Sequence, residues 1–197
     1  MAQPTLTDRA RRLTKGLLAP VAARVHHWGV HPDTITLIGT LLAGVGAALI
    51  VYGHFWWAAL MVLIGLPLDA LDGAVARLRD DFPRPFGAFW DSTLDRYADG
   101  MMFGAFVLYG YRTRSDLITI LALISLIGAF LISYTRARAE GLDLECKVGL
   151  FSRMERTLVL LALLVTGWTT LGLWVFAIGN HFTALQRIWF VNSLTKS

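Results

Sequence analysis

Long apolar runs separated by short polar, mostly basic junctions dominate the chain. Six such runs cover residues 34–53, 55–77, 86–110, 117–138, 154–168 and 170–190. A run of about 20 apolar residues is enough to cross the hydrocarbon core as a helix. The runs are apolar on every side and show no in–out alternation, so they predict helices and not the strands of a barrel. The fifth is short, and its junction with the sixth, near Gly167–Thr170, is weakly marked. Residues 5–28 differ. Leu6, Ala10, Leu13, Leu17, Leu18, Val21 and Val25 recur among basic residues, which predicts an amphipathic helix lying in the membrane interface, with Pro20 as a point of kinking. The expected fold is therefore all-α. It is a single polytopic membrane domain over residues 1–197, with an interfacial helix at about 5–28 and a six-helix transmembrane bundle at about 34–190.

Composition sharpens this picture. The chain is 55% hydrophobic and 16% charged, with a mean hydropathy of +0.55, which excludes an ordinary soluble domain. Its single cysteine, Cys146, excludes an internal disulfide framework and has no His or Cys cluster beside it. The first twenty residues lack the apolar core of a secretory signal peptide. A net charge of +4 is modest, and no nucleic-acid partner is expected. The placement of the cations says more. Arg9, Arg11, Arg12, Lys15 and Arg24 precede the first run, and Arg77, Arg79 and Arg84 follow the second. Arg136, Arg138, Lys147, Arg153 and Arg156 surround the fourth junction, and Arg187 and Lys196 lie near the end. With six spans all four groups fall on one side, so both termini and the active face are expected to be cytoplasmic, at the cell membrane. Arg112 and Arg114 count against that arrangement. Trp56 and Trp57 read as interfacial anchors, and Gly44, Gly46 and Ala47 as sites of helix contact.

Four acids interrupt this apolar pattern: Asp69, Asp72, Asp91 and Asp95. Carboxylates near hydrocarbon are costly and mark function. Asp69 and Asp72 share a helix face, about 4.5 Å apart along the axis, and Asp91 and Asp95 share a face of the next helix. Four converging acids call for a divalent cation, and hard oxygen ligands favour magnesium, with manganese possible. Gly73 and Gly87 leave room for a ligand, and Arg77 adds a cation one turn beyond the acids. A structural role, with the acids merely paired to Arg77, Arg79 and Arg96, accounts for one or two of them but not for four. Asp99 extends the same face as a supporting group. His26, His27 and His31 read as interfacial polar residues and not as ligands.

The run D-x2-D-G-x2-A-R-x9-G-x3-D-x3-D, from Asp69 to Asp95, resembles the signature of the CDP-alcohol phosphotransferases at every fixed position. That resemblance implies transfer of a phosphatidyl group from a CDP-linked lipid to an alcohol, with release of CMP. It implies two Mg2+ or Mn2+ ions on Asp69, Asp72 and Asp91, with Asp95 as the general base and a further metal contact. It implies that Asp69, Gly73, Arg77 and Gly87 contact the CDP-lipid. Asp33, Thr34, Ile35 and Thr36 match the family's nucleotide-side segment. One departure stands out: Arg84-Pro85 replaces a small hydroxyl residue before Phe86-Gly87. A homodimer is also implied.

The acceptor is read from the later arginines. Ser133-Tyr-Thr-Arg-Ala-Arg-Ala-Glu140, Ser152-Arg-Met-Glu-Arg156 and Gln186-Arg187 resemble runs of the phosphatidylinositol-phosphate and archaetidylinositol-phosphate synthases, with Ser152 in place of a Glu. By that resemblance Arg136, Arg138, Arg153 and Arg187 bind the phosphate of inositol 1-phosphate, a task suited to the planar guanidinium. The donor is then CDP-diacylglycerol, or CDP-archaeol in an archaeal setting. Two alternatives remain open: glycerol 3-phosphate as acceptor, and an ion-coupled transporter in which the acids line a path.

Overall fold

In hydrocarbon every backbone N–H and C=O must be bonded within its own segment, so continuous apolar runs fold as helices. The computed structural model describes residues 18–79 and 81–196, and every regular element among them is a helix. The first, α1, covers 18–27. Then follow α2 (Pro32–Val51), α3 (Phe55–Ala76), α4 (Pro85–Arg112), α5 (Asp116–Glu140), α6 (Arg153–Thr166) and α7 (Thr169–Leu194). Each of the six predicted runs coincides with one of α2–α7 to within a few residues. Pro20 lies inside the described stretch of α1. The earlier part of the expected interfacial helix, with Leu6, Ala10, Leu13, Leu17 and the basic residues Arg9, Arg11, Arg12 and Lys15, lies outside the described residues.

Three helices, α2, α3 and α5, are long and apolar enough to cross a membrane. The acids of α4 lower its hydropathy. With 14 residues, α6 is about 21 Å long, short of a hydrocarbon core of about 30 Å. The helix ends follow local chemistry. Ser115 caps α5 by accepting the Ile118 N–H. Gly167 ends α6 in the left-handed region at φ 72°, its N–H bonded to the Leu163 carbonyl, and α7 begins two residues later. Ser152 stands at the N-cap of α6 without a side-chain cap bond, its hydroxyl bonding the Glu155 carboxylate instead.

The chain divides into two compact units, one holding residues up to Val45 together with Leu60–Ala98, the other Gly46–Ala59 together with Asp99 onward. In the first, Ala22, Ile35, Leu71 and Val75 form a buried cluster with Val25, Val30, Leu68 and Ala74 against it. One face of α1 thus packs on α2 and α3. In the second, α5 and α7 run side by side and α6 packs on α7. Fully buried Asn180 donates to the Ser125 carbonyl at 3.0 Å, and Ser125 donates to the Leu173 carbonyl at 3.2 Å. The Phe176 ring takes the edges of Phe103 and Phe151. Trp56, Trp57, Trp168 and Trp189 are exposed, as expected of side chains that face lipid or its interface. Arg112, one of the two cations that spoil the charge asymmetry, lies over the Tyr52 ring at 4.8 Å.

Candidate metal and substrate site

The last two turns of α3 and the second turn of α4 bring three acids together. One carboxylate oxygen from each of Asp69, Asp72 and Asp91 lies within 4.8 Å of the other two. Asp72 is buried, and Asp69 and Asp91 are half-buried. Two donors fix Asp72: the Thr36 hydroxyl, 2.7 Å from Oδ2, and the Gly73 backbone N–H to Oδ1. Each oxygen keeps a lone pair for a further ligand. Three carboxylates this close repel one another unless a cation lies among them. The donor set is all hard oxygen and partly water-accessible, which fits Mg2+ or Mn2+. Asp95 follows Asp91 by one turn, half-buried, and stands outside the group of three, with Arg96 Nη2 at 3.8 Å from its Oδ2.

The residues expected on the CDP side have distinct surroundings. Arg77 is exposed at the end of α3, and a Cβ on Gly73 would lie 3.4 Å from its Nη1. Ile35 is buried in the α1–α2–α3 cluster, Thr34 is exposed, and Thr36 is engaged with Asp72. Asp33 is held by Arg84 in a two-pronged pair, Nη1 to Oδ1 and Nη2 to Oδ2, both at 3.0 Å. The third guanidinium nitrogen, Nε, lies 3.2 Å from Asp81 Oδ2. Asp33 raises the Arg84 guanidinium above its ordinary value, and a hydrogen bond from Arg79 holds the Asp81 carboxyl below its own. A Cβ on Gly87 would meet Arg84 and Asp33 Oδ1 at 3.6 Å.

The arginines expected to bind acceptor phosphate all belong to the second unit. Arg136 and Arg138 are exposed on the last turns of α5, and Arg136 pairs with Glu140 at 2.8 Å. Arg153 opens α6 and is exposed. Arg187 is 8% exposed, and its Nε and Nη1 donate to the carbonyls of Val148 and Ile132. It therefore ties the 141–152 connection to α5 and α7. Arg156, read first as a topology residue, pairs with Asp99 at 2.7 Å. The Asp33–Arg84 fork, the Thr36–Asp72 bond and the Arg187 carbonyl bonds join residues 36 to 55 positions apart. No helical periodicity announces such pairs. The only local hint was the basic residue standing where Gly87 leaves space.

An acidic site of this kind, in an all-helical apolar chain, defines an integral membrane enzyme that works with a divalent metal. The chain belongs to the CDP-alcohol phosphatidyltransferase family, whose pattern matches residues 29–185. It is 35% identical over 202 residues to a phosphatidylinositol phosphate synthase of Streptomyces avermitilis, covering 93% of this chain and 81% of that one. It is 34% identical over 193 residues to an archaetidylinositol phosphate synthase of Methanothermobacter thermautotrophicus, covering 95% and 94%. Among solved structures it resembles the Mycobacterium tuberculosis phosphatidylinositol phosphate synthase with CDP-DAG bound. The TM-score is 0.82 at 31% identity, with 88% of this chain and 92% of that one covered. The same enzyme in complex with manganese and citrate gives 0.80 at 32% identity, covering 88% of each chain.

Proposed function

We propose that this transferase makes a phosphatidylinositol phosphate from CDP-diacylglycerol and inositol 1-phosphate and releases CMP. The observation that carries the reading is the Asp69–Asp72–Asp91 group, formed inside the segment that matches the family. The acceptor follows from the relatives named for inositol phosphate products and from the Arg136, Arg138, Arg153 and Arg187 set. When bound at the three aspartates, Mg2+ (or Mn2+), with two ions in the fullest form of this reading, would neutralise diphosphate charge and ease departure of CMP. The chain's own residues do the rest. Asp95 accepts the proton of the attacking hydroxyl, because an alcohol is a weak nucleophile at neutral pH. The acceptor oxygen bonds to the lipid-side phosphorus, and the bond from that phosphorus to the CMP oxygen breaks. Arg77 pairs with the diphosphate, and Gly73 and Gly87 keep the approach open. Arg187, already oriented by two carbonyls, offers its remaining N–H groups to the acceptor phosphate beside the exposed arginines.

The same reading takes α2–α7 as six spans and α1 as the end of an interfacial helix, in one domain. Both termini and the acids face the cytoplasm at the cell membrane, and the enzyme is a homodimer. The basic junctions support the orientation through the positive-inside rule. The short α6 is served by a locally thin bilayer or by flanking polar residues.

The test is CMP release by the purified protein with CDP-diacylglycerol and Mg2+, in separate reactions with inositol 1-phosphate, glycerol 3-phosphate, serine or free inositol, and the lipid product weighed by mass spectrometry. Product with inositol 1-phosphate alone is expected. Product with glycerol 3-phosphate alone refutes the acceptor and keeps the reaction class. Turnover with CDP-archaeol alone reassigns the donor.

A further inference from the structure

The connection from α5 to α6 ends in a run whose backbone is held by one face of α7. Thr183, Gln186 and Arg187 lie three and four positions apart, so they share that face. Arg187 Nε donates to the Val148 carbonyl, Gln186 Oε1 accepts the Leu150 N–H, and Thr183 Oγ1 accepts the Phe151 N–H, each at 3.0 Å. One turn earlier on α7, Gly179 makes room for the Phe151 ring, since a Cβ there would come within 2.8 Å of it. Gly149 lies among the stapled groups at φ 142°, where L side chains are rare, and a Cβ on it would come 2.7 Å from Thr183 Cγ2. A surface connection can give its N–H groups to water. Leu150 is 73% exposed, yet its N–H is turned to Gln186.

The staple reaches every segment that carries an acceptor arginine. Arg187 is one of its members, and the Nη1 of that residue bonds the Ile132 carbonyl, one turn before Arg136 on α5. Phe151 immediately precedes Ser152, the N-cap of α6, and Arg153 is the first residue of that helix. We propose that Thr183 and Gln186 are positioning residues for the acceptor phosphate. By holding 148–151 on α7 they set where α6 begins, and so how Arg153 stands against Arg187. Neither residue touches the phosphate. The inference rests on the acceptor reading above and deepens it, adding the side chains that keep its arginines in register. Gly149 belongs to the same device, because a side chain there would press the run away from Thr183.

The test is steady-state kinetics of the full chain in detergent, with inositol 1-phosphate and CDP-diacylglycerol varied separately. Tm and Mn2+ binding, by electron paramagnetic resonance, are measured on the same proteins. These are wild type, Thr183→Val, Thr183→Ser, Gln186→Leu, Gly149→Ala and Gly149→Ala/Thr183→Ser. Thr183→Val and Gln186→Leu each remove one hydrogen bond and should raise the KM for inositol 1-phosphate about 3- to 10-fold. The KM for CDP-diacylglycerol and the Mn2+ affinity should not move. Thr183→Ser keeps the hydroxyl and should stay within about 2-fold of wild type. Gly149→Ala should raise the acceptor KM by about 10-fold. Adding Thr183→Ser, which removes the methyl that the new Cβ meets, should recover part of that loss. An unchanged acceptor KM in Thr183→Val and Gln186→Leu overturns the proposal. So does a fall in kcat with a rise in both KM values that follows the loss of Tm, the mark of a merely structural part. If Thr183→Val does not fold, Gln186→Leu and the two Gly149 variants decide by the same comparison. Turnover with glycerol 3-phosphate in place of inositol 1-phosphate corrects the acceptor reading alone, and the same shifts in its KM uphold the proposal. A wild type that takes only acceptors without a phosphate removes the acceptor reading, and the proposal with it.

Discussion

Asp91 and Asp95 are one helical turn apart on α4, and the proposed mechanism gives them different work, which separate substitutions can resolve. Asp91 belongs to the close group of three, and Asp95 stands outside it. Asp95→Asn is expected to lower turnover by about 10²-fold or more while Mn2+ binding persists, since it removes only a general base. Asp91→Asn should lose both Mn2+ binding and turnover, because it removes a ligand. Activity in purified, folded Asp95→Asn equal to wild type would sink the base assignment. Gly87→Ala places its Cβ 3.6 Å from Arg84 and Asp33, an ordinary contact, so the variant should fold with an unchanged Tm. A valine there reaches further and should raise the KM for the CDP-lipid, read in steady-state kinetics. At this scale the aspartates were legible because three- and four-residue spacings have one meaning on a helix. Ile35 was not. It sits in a family segment, yet its side chain is part of the α1–α2–α3 cluster. Asp33 stands in the same segment, and the partner the structure gives it lies 51 positions away, beyond any local pattern.

The helices themselves were readable almost to the residue, because in lipid the length and apolarity of a run leave few alternatives to a helix. Which helix faces which was less readable, since lipid-facing and helix-facing sides are equally apolar. The packing of α5 on α7 depends on small and polar positions instead. Gly128 is the clearest case. A Cβ there would come within 2.7 Å of the Asn180 Cβ and 3.0 Å of the His181 ring. Gly128→Val should therefore destabilise by about 1–3 kcal/mol through overpacking, seen as a lower Tm in detergent. Arg187 and Arg138 make a second contrast. Arg187→Met breaks two bonds to carbonyls that hold the 141–152 connection, so it should lower Tm as well as activity. Arg138→Met changes an exposed residue. It should raise the acceptor KM and leave Tm within the scatter of wild type. Equal thermal loss in both would show that Arg187 has no special structural part. Ser152 was first read as a departure from a related pattern. In place it stands at the start of α6 with its hydroxyl on the Glu155 carboxylate.

For the molecule as a whole, the metal requirement and the topology are the measurable properties. Chelation by EDTA is expected to stop CMP release completely, and added Mg2+ or Mn2+ to restore it, with the protein folded throughout. Single cysteines placed in the 77–84 junction and at the C-terminal end, with Cys146 replaced, should label from the same side of sealed vesicles. Labelling from opposite sides would overturn the six-span reading, and the 14-residue α6 is where the count would fail first. The expected orientation rests on the charge asymmetry alone. Arg112 counts against it less than its charge suggests, because a cation resting on an aromatic ring, here Tyr52, can lie at either surface.

All three acids of the close group come from one helical hairpin, α3 and α4, within the span from Asp69 to Asp91. A ribosome delivers those residues consecutively, and a hairpin closes a short loop with little loss of chain entropy. The centre can thus assemble while α5–α7 are still being synthesised, and the later helices join a hairpin that already carries its charge. Nascent chains stalled after α4 should accordingly acquire Mn2+ affinity before they acquire any catalytic competence.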